Sequence, residues 1–152
     1  MGQSERNLVE TAAGDRLAVI ADSFWRLTGR TLAQDSAALW NLTAAILAHG
    51  TEPSPLFFYA NRCALELFRM SASKMLGMES RYSAEPGLRA ERQAMFDRLE
   101  RADIVSGYEG IRIAADGTRF RVEDAIIWNL FDESGRRYGQ AAMLQNWQVI
   151  EG

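Results

Sequence analysis

The carboxylate of Asp124 has the clearest chemical implication of any side chain in this sequence. It shares a two-residue strand period with apolar residues on both sides, so an unbroken strand would bury it. These apolar residues are Phe120, Val122, Ile126 and Trp128. A buried carboxylate needs a partner, because otherwise its pKa rises. The arginines that could pair with it are Arg112, Arg81 and Arg121. Asp124 is therefore a polar anchor in a pocket, half of a structural salt bridge, or a residue that a bulge turns outward.

Further polar side chains lie in the predicted strands around Trp128. Asn129 follows Trp128, and Gln140 lies on the next predicted strand. Together they could line a small cavity with one aromatic wall and two amide groups, although Trp128 is also typical of an ordinary core residue. Arg112 follows Gly110 on its face of another strand. A glycine in a strand often permits close approach, here of a ligand or of a packing helix.

The single cysteine, Cys63, and the single histidine, His49, limit the metal and catalytic chemistry open to the chain. They exclude an internal disulfide and the usual four-ligand zinc set. A nucleophilic pair of Cys63 and His49 is the catalytic alternative that the sequence leaves open. Phosphate-binding and hydrolase motifs are absent. We therefore expect no enzyme activity and no metal site. We interpret His49 as a hydrogen-bonded residue at a strand end and Cys63 as a small buried residue.

Composition indicates one ordinary globular domain. The chain has 152 residues, of which 47% are hydrophobic and 24% are charged. Its formal net charge of −3 argues against general nucleic-acid binding. No apolar run approaches the roughly 20 residues that a membrane span needs. The polar N-terminal residues do not resemble a signal peptide, so we expect a cytoplasmic protein.

The hydrophobic pattern predicts the elements that must position these side chains. Residues 1–35 have the apolar spacing of an amphipathic helical extension. Short strands are predicted at residues 45–48 and 56–60, and Asn61 caps the helix that follows. Residues 88–105 are predicted to form a long helix with a charged, solvated face. Three strands joined by short turns end the chain, at residues 108–114, 120–130 and 137–147. The fold class is α+β, with an antiparallel sheet of about five strands and helices on one face.

The predicted strand at residues 120–130 also suggests how the sheet is covered. Alternation places Trp128 on the side that meets the 88–105 helix. Ala125, Ile127 and Phe131 then lie on the opposite side and form an apolar patch that needs a cover. The N-terminal helical extension is the candidate cover, either from the same chain or from a second subunit.

The order of these elements resembles that of PAS domains, and residues 57–68 (FFYANRCALELF) resemble the PAS strand-to-helix corner. More specifically, the chain resembles the MEKHLA domain family, which is related to PAS domains. The matching motifs, in order, are HGTEP at 49–53, YAN at 59–61, SR at 80–81, SAEP at 83–86, Tyr108 with GIRI at 110–113, Gly117 with RF at 119–120, Ala125 with WN at 128–129, and GQAA at 139–142. The resemblance covers residues 36–147.

The resemblance implies a PAS-like sensory or regulatory module at residues 36–150, preceded by the helical extension at residues 1–35. Such a module is expected to bind a small molecule between sheet and helices and to signal through protein contacts, as a homodimer or with an unidentified protein partner. A ligand-free interaction or dimerisation module is the alternative. No cofactor is indicated, and flavin–cysteine photochemistry is not supported, because Cys63 lies on the first helix of the module. Strand alternation and family position together give the candidate ligand-binding residues Tyr59, Arg81, Tyr108, Arg112, Asp124, Trp128, Asn129 and Gln140. In the loop at residues 78–87, Arg81 could pair with Glu85 or form the rim of the pocket.

Overall fold

The computed structural model describes residues 2–83 and 89–151. The helices are α1 (Gly2–Ala13), α2 (Arg16–Thr28), α3 (Ser36–Trp40), α4 (Arg62–Phe68), α5 (Ala72–Met75) and α6 (Arg89–Ala102). The strands are β1 (Ala45–His49), β2 (Phe57–Ala60), β3 (Ile104–Ile113), β4 (Arg119–Phe131), β5 (Arg137–Leu144) and β6 (Asn146–Glu151). A short 3-10 turn, Ser80–Ser83, precedes α6.

The strands form one antiparallel sheet in the order β2-β1-β5-β4-β3. Strand β6 pairs with the first half of β4, while β5 pairs with the second half. The final predicted strand at residues 137–147 is therefore two strands that meet at Gln145, and the sheet has six strands where about five were expected. The predicted α+β fold with an antiparallel sheet is confirmed.

The turn between β3 and β4 forms at the Asp116–Gly117 pair that favours hairpins. Gly117 has a φ of 90°, which glycine adopts without steric cost. The Asp116 carboxylate accepts hydrogen bonds from the Thr118 amide (3.0 Å) and from Nη1 of Arg69 (2.6 Å), which begins the loop after α4. These two bonds, the Thr118 amide first, lower the pKa of Asp116 from 3.8 to about 2.

We expect this carboxylate to make stability depend on pH in the acid range. Its pKa is lower in the folded chain, so its contribution is present above about pH 4 and is lost as the pH falls towards 2. A carboxyl-carbon NMR titration should place the Asp116 midpoint near 2 in the wild type and between 2 and 3.8 in Arg69→Gln, which keeps the bond from the Thr118 amide. A wild-type midpoint near 3.8 would contradict the two bonds.

Asp124 is the point at which the observed faces of β4 differ from the predicted ones. Its φ is 54°, a left-handed conformation that interrupts the two-residue alternation, and its side chain is exposed. The expected burial of Asp124 is therefore wrong, and the outward bulge is the alternative that the structure adopts. Among the described residues, no arginine forms an ion pair with it. Beyond Asp124 the alternation is shifted by one residue, so Ile127 and Asn129 face α6 and Trp128 faces α2. Phe131 follows a second register shift and lies on the outer face as predicted, with its ring under the Arg26 guanidinium of α2 at 5.0 Å.

The bulge places Trp128 on the outer face of the sheet, away from α6. Its indole is fully buried, donates from Nε1 to the Ile20 carbonyl of α2 at 3.2 Å, and meets the Phe24 ring edge-on at 4.9 Å. The expectation that Trp128 meets the 88–105 helix is wrong for this reason. Its neighbour Ile127 lies on the inner face and lines the cavity there. Ile127 therefore does not belong to the predicted apolar patch on the outer face.

Helices thus cover both faces of the sheet. The inner face carries α4, α5 and α6, and the outer face carries α1 and α2, of which α2 packs on β4 and α1 on β2. The predicted N-terminal cover is present, and it comes from the same chain. It is also tied to the inner layer, because the Glu5 carboxylate of α1 accepts from the Ala72 amide that begins α5, at 2.5 Å. Within the described ranges, no helix has the length and apolar character needed to cross a bilayer.

Candidate functional site

The inner face of the sheet and the helices that cover it line a small, partly open cavity. Its free volume is about 50 Å³, room for roughly three to five water molecules. The wall contributed by the sheet consists of Leu47, His49, Phe57, Tyr108, Arg112, Ile127, Gln140, Ala141, Ala142 and Leu144. The wall contributed by the helices and the 3-10 turn consists of Phe68, Ser83, Met95 and Phe96. A mostly apolar wall with a few polar groups is typical of a small-molecule site.

The most distinctive polar group of this cavity is the guanidinium of Arg112. Arg112, Gly110 and Tyr108 alternate along β3 and are all buried, so they share the inner face. Nη2 of Arg112 donates to the Tyr108 hydroxyl at 3.0 Å, and Nη1 donates to the Ile111 carbonyl at 3.2 Å. Gly110 permits this arrangement, because a Cβ at that position would lie 2.6 Å from the Tyr108 hydroxyl oxygen. The close approach predicted at Gly110 is therefore made by Tyr108.

His49 ends β1 at the cavity wall, with its ring packed edge-on against the rings of Phe57 and Phe96. Its Nδ1 lies 3.0 Å from the Gly50 carbonyl oxygen. A carbonyl oxygen only accepts, so Nδ1 carries a hydrogen. The interpretation of His49 as a hydrogen-bonded histidine at a strand end is confirmed.

Asn129 and Gln140 form a polar clamp beside the cavity. The Asn129 amide nitrogen donates to the Leu99 carbonyl and to the Asp103 carboxylate, both at 2.9 Å, and its oxygen accepts from Gln140 at 3.1 Å. Asp103 in turn pairs with Arg137 at 2.5 Å. The clamp ties β4 and β5 to the end of α6, and it uses every hydrogen-bonding group of the Asn129 side chain.

The structure brings together only some of the eight candidate ligand-binding residues. Tyr108, Arg112 and Gln140 line the cavity, and Asn129 lies next to it through its bond to Gln140. The other four, Tyr59, Arg81, Asp124 and Trp128, lie outside the wall of the cavity. Asp124 and Trp128 do so because of the bulge in β4.

Tyr59 faces outward because of its register in the sheet. It pairs with Ala48, whereas the cavity-lining His49 pairs with Phe57, and cross-strand partners share a face. Tyr59 is fully buried, and its hydroxyl oxygen has no hydrogen-bond partner among the described residues. Burial raises the pKa of this phenol well above its ordinary value.

Arg81 lies on the surface and belongs to a local cluster. Its Nε donates to the Glu79 carboxylate at 3.1 Å, and its guanidinium lies over the Tyr82 ring at 4.9 Å. The predicted partner Glu85 lies outside the described residues. The observed partner of Arg81 is therefore Glu79.

Most of the apolar wall was not among the candidates from sequence. Phe57, Phe68, Met95 and Ile127 are contributed by four different elements, so no local spacing brings them together. The Tyr108–Gly110–Arg112 alternation was a readable signal, since a glycine between two large residues on one face gives either of them room to bend towards the other.

The single cysteine of the sequence lies outside the wall of the cavity. Cys63 lies on α4, where its thiol donates to the Thr43 carbonyl at 3.2 Å. The pKa of this thiol is raised, and burial is the largest cause. Cys63 is not among the residues that line the cavity, so it does not pair there with His49. In the part of the chain that the structure describes, no three metal-ligating side chains form a group that could hold an ion.

The model of the MEKHLA domain matches residues 15–149. The match begins inside the predicted N-terminal extension, so it includes α2. No curated protein matches the chain significantly.

Solved structures with a similar fold are PAS and light-oxygen-voltage domains. A light-oxygen-voltage domain studied with a flavin analogue is 19% identical, with a TM-score of 0.61 over 76% of this chain and 84% of that chain. The PAS domain of a Colwellia psychrerythraea protein is 16% identical, with a TM-score of 0.62 over 76% and 93% of the two chains. A variant of Vivid is 17% identical, with a TM-score of 0.59 over 82% and 97%. At these identities, the likeness establishes the shared fold alone.

Proposed function

We propose that this chain, which belongs to the MEKHLA domain family, is a sensory domain of PAS type that binds a small molecule in the cavity between sheet and helices. The cavity itself is the observation that carries this proposal. It combines an apolar wall with the Arg112–Tyr108 pair, and it lies between the sheet and α6, where the resemblance predicts a ligand. We assign it binding and not reaction, because the Cys63–His49 pair considered as the catalytic alternative does not form in this cavity.

The size and chemistry of the cavity restrict the ligand. One structural neighbour is a light-oxygen-voltage domain studied with a flavin analogue, but a flavin does not fit here. A free volume of about 50 Å³ is far below the roughly 300–1,000 Å³ of sites for drug-sized ligands. Cys63 also lies outside the cavity wall. The proposed ligand is therefore a molecule of a few non-hydrogen atoms.

The output of this sensor is a protein contact on the outer face of the sheet. Adjacent residues of β4 lie on opposite faces of the sheet: Ile127 lines the cavity, and Trp128 packs against α2. A ligand that shifts β4 would therefore alter how α2 packs. Trp25 on α2 is 60% exposed and gives the partner, or a second copy of this chain, an apolar contact. We place this sensor in the cytoplasm, where the unpaired Cys63 thiol would remain reduced.

A ligand-free interaction module is the second candidate function. The small cavity volume favours it, as do the exposed side chains of Val149 (58%) and Ile150 (41%) on β6. These two residues lie on a strand that has a single pairing partner, β4, among the described strands. An unpaired strand edge with apolar side chains is suited to pairing with another chain.

Native mass spectrometry of the purified protein distinguishes the two functions. We expect a retained small mass that is released on denaturation, and a raised melting temperature when that compound is added back. A cavity-filling variant, Ala142→Leu, should lose both signals while it remains folded. The matched control, Ala12→Leu on the exposed surface of α1, should keep them. A dimer without a retained mass, and without a thermal shift with any metabolite, would favour the interaction module and contradict the proposed ligand binding.

A further inference from the structure

We infer that the ligand is a small monoanion with an apolar body, a short-chain carboxylate, and that Arg112 and Tyr108 bind its charged end. This inference rests on the proposed function, since it names the chemical class that the same cavity takes. It follows from the burial of Arg112, from the hydrogen bonds of this pair and from the wall around it.

Arg112 is a buried cation without a counter-charge in the described chain. Its side chain is one of the few buried charged groups, at 9% exposure. The described ion pairs are more exposed to solvent: the side chains of Arg6 and Glu10 are 22% exposed, and those of Arg69–Asp116, Arg81–Glu79 and Arg137–Asp103 are more exposed still. Taking a guanidinium out of water without an anion is costly. A bound anion would remove this cost.

The donors left over on this pair fit a carboxylate. A guanidinium has five N–H groups, and the Tyr108 hydroxyl and the Ile111 carbonyl use two of them. The Tyr108 oxygen already accepts from Arg112, so its own hydrogen is available to a further acceptor. Planar N–H groups on arginine match the two oxygens of a carboxylate, and the phenol O–H adds a third donor. Gly110 maintains this arrangement by leaving the space that the Tyr108 ring occupies.

The other polar groups on the wall have partners elsewhere. The Ser83 hydroxyl donates to the Ser80 carbonyl at 2.7 Å, and the Gln140 amide donates to Asn129 at 3.1 Å. His49 directs Nδ1 to the Gly50 carbonyl. The cavity therefore offers one concentrated positive charge at Arg112, and the rest of its wall is mainly apolar.

This distribution selects the class of anion. A phosphate or sulfate has charged oxygens on every side, and an apolar wall would leave most of them without donors. A short-chain carboxylate instead places its two oxygens at Arg112 and its carbons against Phe68, Met95 and Ile127. The free volume of about 50 Å³ limits this apolar body to a few carbon atoms.

Matched acids and amides test the inference on the wild-type chain. Thermal shift and calorimetry would use acetate, propionate and butyrate beside acetamide, propionamide and butyramide at constant ionic strength. We expect at least one acid to raise the melting temperature and its amide to have no effect. If an amide binds as well as its acid, or if the retained molecule is neutral, the anion inference fails and the proposed ligand binding stands. If nothing binds and no mass is retained, both fail.

Variants assign the binding to the pair on β3. Arg112→Met should weaken acid binding about 100-fold, because the charged hydrogen bonds are lost. The same variant should raise the melting temperature of the ligand-free protein, since it removes an unpaired buried charge. Tyr108→Phe and Gly110→Ala should each weaken binding about tenfold, the first by deleting the O–H and the second by displacing the ring. Arg121→Met, at an exposed position of β4, is the matched control and should bind normally.

The ligand-free stability of Arg112→Met separates a binding role from a structural one. A purely structural arginine would make this variant less stable, or unable to fold, and that result would overturn the inference. Unchanged binding of acids to Arg112→Met would overturn it as well.

Discussion

Replacement of Asn61 by alanine is expected to lower the free energy of unfolding by about 3–5 kcal/mol, a large part of the roughly 5–15 kcal/mol of a typical domain. The side chain is fully buried and forms four hydrogen bonds. Its oxygen accepts from the Ile46 amide (2.9 Å) and the Ala64 amide (3.0 Å). Its nitrogen donates to the Leu39 carbonyl (3.1 Å) and the Ala44 carbonyl (2.9 Å). Alanine would remove all four bonds, and of these backbone groups the Leu39 carbonyl would keep a bond from the Leu42 amide at 3.4 Å.

Urea unfolding of three variants measures this effect. Asn41→Ala is the matched control, because Asn41 is exposed and donates one bond, to the Ala37 carbonyl at 2.9 Å. It should cost less than about 1 kcal/mol. Asn61→Asp keeps the oxygen that caps α4 but removes the two donated bonds, so it should still be strongly destabilising. Equal losses for Asn61→Ala and Asn41→Ala would show that the buried network contributes little.

Replacement of Trp128 by alanine is expected to cost about 3–5 kcal/mol and to weaken the packing of α2 on the sheet. The indole is fully buried between β4 and α2, and it supplies both a ring contact with Phe24 and a hydrogen bond to Ile20. A cavity would remain in its place, and the Ile20 carbonyl would lose its side-chain donor. Trp128→Phe keeps an aromatic ring and should fall between the wild type and Trp128→Ala.

Amide hydrogen exchange shows which elements lose protection in Trp128→Ala. In Trp128→Ala, amides of α2 (Arg16–Thr28) should exchange faster, while those of β1 and β5 remain protected. Trp25→Ala on the same helix is the matched control, because Trp25 is 60% exposed, and it should alter stability by no more than about 0.5 kcal/mol. Binding of the cavity ligand by Trp128→Phe should resemble that of the wild type. Protected α2 amides together with lost ligand binding would instead place Trp128 in the cavity wall.

Asn61 also shows why local features were readable in advance. The cap at Asn61 acts within four consecutive positions, so its bond to the Ala64 amide was predictable from residue type. The turn at Asp116–Gly117 was predictable for the same reason, because only glycine takes the φ of 90° without strain. The other three bonds of Asn61 reach Leu39, Ala44 and Ile46, and nothing in the local spacing indicates them.

The sequence by itself determined the order of the elements, the antiparallel sheet and the membership suggested by its motifs, because periodicity, caps and turns act between near neighbours. It also placed Arg112 and Gly110 on one strand face. Tertiary structure decided which face of the sheet each residue of β4 takes beyond Asp124. One left-handed residue shifts a period of two by one position, and a sequence pattern does not contain that shift. Tertiary packing likewise decided that Tyr108 fills the space beside Gly110. It also decided that no carboxylate of the described residues forms an ion pair with Arg112. These outcomes depend on groups distant in the chain, and they define the cavity on which the proposed function depends.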